Sequence, residues 1–178
     1  FNIYQMLGTL DGEANFQLVF THLNKKKIPI DESTRGECFA YLLNYCIRQV
    51  NRGSIEYAKE YLRLIDLLEA QQLLTKRQAI SPLRFRNIIS ISLIARKNKW
   101  ARDFLHRHQD SLIDRGYRGV VELSEATILF SERKYTACEN TLNGFSFKDP
   151  YHELAYEHLR LKLGAQQVLM GKYDLANF

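Results

Sequence analysis

Residues 126–178 read ATILFSERKYTACENTLNGFSFKDPYHELAYEHLRLKLGAQQVLMGKYDLANF, and one pattern occurs in them twice. A helix-period run ends near Ser131 and Glu132, a short break follows, and Lys134-Tyr135-Thr136-Ala137-Cys138 opens a second helical run through Leu142. Asp149-Pro150 then starts another helix, which carries Leu163-Gly164 and ends at Gly171 before Lys172-Tyr173-Asp174-Leu175-Ala176. Each copy has a small residue in its first helix, a bend, an aromatic residue, and a small residue three positions later.

Followed backwards, the small residue of each second helix gives the register Ala14, Ala58, Ala101, Cys138 and Ala176, at intervals of 44, 43, 37 and 38 residues. Leu18, Leu62, Leu105 and Leu142 stand four residues after the first four marks, and Cys46, Ile89, Ala126 and Gly164 stand twelve before the last four. Small side chains where two helices cross let the backbones approach, and leucine one turn later fills the adjoining groove. A hairpin of this kind leaves apolar faces that only a neighbouring hairpin can cover. The expectation is a single array over residues 1–178 of about five units, the first and last incomplete.

Punctuation along the chain agrees. Phe1 to Leu7 reads as a helix tail closed by Gly8, and Asp11 can cap a helix with Ala14, Leu18, Val19 and Leu23 on its apolar stripe before Lys25-Lys26-Lys27. After Ile28-Pro29-Ile30, caps lie between Asp31 and Thr34, at Gly53 or Ser54, at Ser81-Pro82 and at Asp149-Pro150. Three prolines and nine glycines in 178 residues leave room for long helices, and no strand-like stretch intervenes. An all-α chain follows.

At Leu163-Gly164, Gly171-Lys172-Tyr173 and Ala176 the chain resembles the tetratricopeptide repeat family. Ala126 with Lys134-Tyr135 and Cys138 is the next best match, followed by Trp100-Ala101 with Phe104-Leu105 and Tyr57-Ala58 with Tyr61-Leu62. The flavour is that of tetratricopeptide-like proteins of bacteria. The resemblance implies an α-solenoid of antiparallel helix hairpins in a right-handed superhelix. The chain departs from the family in its longer spacing, against a usual period of about 34 residues, and in lacking a proline at the end of each unit.

The residues do not group into a catalytic centre. His152-Glu153-Leu154-Ala155-Tyr156 approaches a zinc-protease pattern, but Tyr156 stands where the second histidine is needed, and His158 is off that helical face. His106 and His108 point apart on a helix, and Glu56 with Glu60, or Glu153 with Glu157, reads as a solvated face. No phosphate-cradling glycine loop, metal site or cofactor site is expected. Cys38, Cys46 and Cys138 lie far apart, which suits reduced, buried thiols in a cytoplasmic protein. No apolar run is long enough to span a membrane.

Binding is the remaining reading. The resemblance implies that the first helix of each hairpin lines a concave surface for a protein or peptide segment, placing Leu43, Asn44, Ile47, Arg86, Asn87, Ser90, Leu93, Leu123, Thr127 and Phe130 along it. Asn44 and Asn87 hold equivalent offsets, where an amide could serve a bound backbone or tie two helices together. The net charge of +5 is concentrated: residues 75–120 carry 11 Lys/Arg against 3 Asp/Glu. A basic patch of Arg84, Arg96, Lys97, Lys99 and Arg102 favours an acidic protein partner, with nucleic acid as the rival ligand and solvated surface as the plain alternative.

Overall fold

The structure, a computed structural model, describes residues 12–24, 31–75, 79–142, 147 and 149–171. The expectations for Phe1 to Asp11, the Lys25 to Lys27 run, Ile28 to Ile30, Tyr173 and Ala176 lie outside these residues. Eight helices and no strand are found among the described residues: α1 (Glu13–Asn24), α2 (Glu32–Asn51), α3 (Ile55–Ala70), α4 (Pro82–Ile94), α5 (Asn98–Ile113), α6 (Arg118–Ser131), α7 (Tyr135–Leu142) and α8 (Pro150–Leu169). They belong to two compact units, Phe1–Gln78 and Ala79–Phe178.

Four of the eight described helices begin where the sequence offers a side-chain acceptor. Asp31 receives the Thr34 amide at 3.0 Å and the Thr34 hydroxyl at 2.6 Å. Ser54, Ser81 and Asp149 cap α3, α4 and α8 through the amides of Tyr57, Arg84 and Tyr151. These side chains satisfy amides that the helix leaves without carbonyl partners.

The turns carry the repeat more plainly than the side chains do. Gly53, Arg96, Arg133 and Gly171 have φ of 94°, 58°, 61° and 68°, and each stands five residues before a register mark. The bonding recurs as well. Ser54 N–H reaches Gln49 O at 3.0 Å, Lys97 N–H reaches Ser92 O at 2.9 Å, and Lys134 N–H reaches Leu129 O at 2.9 Å. This is the Schellman closure, in which one left-handed residue reverses the chain and uses the last carbonyls. At Arg96 and Arg133 a side-chain-bearing residue accepts a backbone that glycine would adopt more readily.

In the first unit α2 packs on α1 and α3. Its centre is aromatic: the Phe16 ring lies 5.2 Å from Tyr45 and 5.5 Å from Tyr57, and those two lie 5.4 Å apart. Burial drives the Tyr57 hydroxyl upward in pKa, with its hydrogen bond to Tyr45 acting in the same sense. The expected first mark is corrected here. Ala14 is exposed and Leu18 is 37% exposed, because Phe16 and Val19 face inward and the rings, not a small residue, set the helix spacing.

In the second unit each helix packs on the next, while α4 also packs on α6 and α6 on α8. The alternate helices α4, α6 and α8 therefore lie side by side in that order. Ile89, Ala101, Ala126 and Cys138 are wholly buried there, as Cys46 and Ala58 are in the first unit, so the inner marks all fall where helices meet. For Gly164 an added Cβ would meet nothing within 4 Å among the described residues, and the helix expected to cross it, at Tyr173 to Ala176, lies outside them.

Candidate functional site

Where α4, α6 and α8 adjoin, the second unit has a groove of about 240 Å³. Arg86 and Ser90 of α4, Leu123 and Thr127 of α6, and Ala155, His158, Leu159 and Lys162 of α8 line it. The first two pairs are each one helical turn apart and therefore share a face. They stand at the same offsets, three before and one after, from the marks Ile89 and Ala126. On α8 the same offsets from Gly164 would select Leu161 and Ala165, which point to solvent instead. Sequence reasoning thus named Arg86, Ser90, Leu123 and Thr127 of the α4 and α6 walls and named no residue of the α8 wall.

The chemistry of the groove is mixed. Leu123, Ala155 and Leu159 supply apolar floor, and Arg86 and Lys162 supply positive charge. Thr127 Oγ1 donates to Leu123 O at 2.7 Å within α6. Arg86 Nη1 donates to Tyr151 O at 2.9 Å, which fixes the guanidinium at the start of α8. Burial lowers the Arg86 pKa and Asp149 opposes that shift, but a guanidinium keeps its charge. Lys162 has no ion-pair partner among the described residues and is exposed.

Beside this end of α8, His152 is buried with Nδ1 3.3 Å from Asp149 Oδ2. Burial depresses its pKa, nearby Arg86 adds to that, and Asp149 works against both. Its Phe147 neighbour covers the ring at 6.0 Å. The imidazole is a packing element of the α8 entrance.

The other expected contact residues are distributed differently. Leu43 is buried in α2, Ile47 is half-buried and Asn44 exposed, all in the first unit. Asn87 and Leu93 are half-buried on α4, and Phe130 packs edge-on to Tyr135 with ring centroids 5.4 Å apart. The equivalence of Asn44 and Asn87 therefore does not extend to their burial.

The basic patch is partly consumed by internal pairing. Arg102 holds Glu132 through one edge of its guanidinium, Nε to Oε1 at 2.7 Å and Nη2 to Oε2, while Lys134 approaches the same carboxylate at 2.8 Å. Lys99 pairs with Asp103 at 2.7 Å. Arg84 is half-buried, and Arg96 and Lys97 are exposed in the α4–α5 turn.

The hydrogen bonds from Arg102 chiefly hold the Glu132 pKa at about 2 instead of 4.5, against the opposing effect of burial and with help from Lys134. A depressed carboxylate contributes stability that is complete above pH 4.5 and is lost as pH falls towards 2. Glu132→Gln is expected to cost about 1–2 kcal/mol at neutral pH. Urea unfolding across pH checks it: the gap from wild type should close on acidification, and a gap independent of pH would contradict the ion pair.

Among the described residues no group of three or more His, Cys, Asp or Glu could hold a metal ion, and no helix is long and apolar enough to cross a membrane. Compared with protein-family models, curated proteins and solved structures, the chain matches none.

Proposed function

We propose that this chain is a non-enzymatic binding module of tetratricopeptide-like hairpins, and that its α4–α6–α8 groove takes an acidic segment of another protein. One observation carries the reading. Three alternate helices, α4, α6 and α8, bring an apolar floor and two cations into one groove, with no carboxylate among its described lining residues. A space of about 240 Å³ is small for an enclosed ligand but suits one or two side chains of a segment lying across the helices. The recurring left-handed turns support a stacked, solenoid-like arrangement of hairpins. Three free buried thiols suit a reducing cytoplasmic setting.

Nucleic acid is the second reading, favoured by the exposed Arg96 and Lys97. The internal pairing of Arg102 and Lys99 weighs against it.

The test is an array of peptides in which Asp or Glu flanks Leu or Phe, followed by fluorescence anisotropy on the best binder. Lys162→Glu is the informative variant, since Lys162 is exposed and unpaired whereas Arg86 also supports α8. It should weaken binding by about tenfold or more, and wild-type binding should fall with added salt. Unchanged affinity in this variant would remove the groove assignment. A duplex or single-stranded oligonucleotide bound more tightly than any peptide would favour the second reading.

A further inference from the structure

The most exposed large apolar side chains described stand on one helix. Tyr151, Leu154, Leu161 and Leu169 of α8 are 68%, 71%, 72% and 78% exposed. Outside α8 and its cap Met170, none exceeds the 45% of Ile94. Positions 151, 154, 158, 161 and 165 alternate by three and four residues, the a and d spacing of a heptad. They make one stripe nearly opposite the buried face of His152, Tyr156, Leu159, Leu163 and Gln167. The stripe is apolar at Tyr151, Leu154, Leu161 and Ala165 and interrupted at His158, and exposed apolar side chains clustered on one helix face mark an interaction site.

The flanks of the stripe indicate what covers it. Glu157 precedes the central leucine pair's second member and Lys162 follows it, five residues apart and of opposite sign. These are the g and e positions of successive heptads, which meet across two parallel helices. A two-fold axis would place Glu157 of each copy beside Lys162 of the other. Among the described residues Glu157 pairs with Arg160, at 3.3 Å and with both side chains about half exposed, an arrangement of little worth in water. Gly164 has open space around it and Ala165 is exposed, so two such helices can approach closely.

We propose that α8 pairs in parallel with α8 of a second copy of this chain, with Leu154 and Leu161 at the centre and Glu157–Lys162 pairs along the sides. The contact spans fewer than three heptads of a 20-residue helix, so the dimer is weak and reversible. This surface shares His158 and Lys162 with the groove, but the Leu154 and Leu161 contact does not depend on the acidic-segment reading.

Sedimentation velocity on the full chain from about 1 to 300 µM tests it, a range that brackets a micromolar dissociation constant. Wild type should pass from monomer to dimer. Leu154→Glu with Leu161→Glu should stay monomeric with an unchanged circular dichroism spectrum and melting curve, because both leucines are largely solvent-facing. Glu157→Lys should weaken the dimer by about tenfold, and adding Lys162→Glu should restore it. A wild-type monomer throughout overturns the proposal and leaves the stripe to a helix of another protein. A dimer that survives the leucine changes places the interface elsewhere, and failure of the charge exchange to restore association overturns the parallel pairing.

Discussion

Phe104→Ala is expected to cost about 3–5 kcal/mol, the range for removing a fully buried aromatic ring. Phe104 is wholly buried on α5, with Phe85 of α4 at 5.8 Å, Trp100 at 5.1 Å and His108 at 4.5 Å between ring centroids. Truncation removes the transfer free energy of the ring and leaves a void that Phe85, also wholly buried, cannot fill without losing its own contacts. Small domains have only about 5–15 kcal/mol of total stability, so this one change is a large fraction of it. Urea unfolding followed by circular dichroism measures the loss, and Phe104→Leu should recover much of it by restoring volume. A cost below about 1 kcal/mol would show that the ring cluster does not hold α4 to α5.

Ala126→Leu is the opposite intervention and should cost about 1–3 kcal/mol or more by overpacking. Ala126 is wholly buried in the core cluster with Cys138, Leu142 and Leu159, at the meeting of α6 with α7. Three added carbons have no room there unless the helices separate. Ala137→Leu is the matched control: Ala137 is exposed on α7, so the same added bulk should change stability by less than about 0.5 kcal/mol. Equal costs at the two positions would mean that the small residue at 126 has no role in the crossing.

The readable parts of this chain were those written in local chemistry. Asp31, Ser54, Ser81 and Asp149 announce helix starts because their side chains bond amides two or three residues away. The inner register marks were legible because burial demands small or apolar side chains at helix crossings. The first mark misled because smallness is permitted at an exposed site as well as required at a crowded one, as Ala14 demonstrates. The left-handed turns at Arg96 and Arg133 were hidden because arginine carries no propensity for that backbone. Likewise, the Arg102–Glu132 pair joins residues thirty apart, and α8 joins the groove only through tertiary packing. Neither has a local signature.

The three thiols have a use that their burial creates. Cys38, Cys46 and Cys138 are almost completely enclosed, and burial pushes the Cys46 and Cys138 pKa values up to about 12 and 11. Only a thiolate reacts readily with an alkylating reagent, so the folded chain shields these sulfurs both sterically and chemically. Any labelling therefore reports a moment when the surrounding helices part. Cys38 and Cys46 time the openings of the first unit, and Cys138 times those of the second. The molecule thus contains two separate native chronometers of breathing, readable by mass spectrometry without inserting a probe.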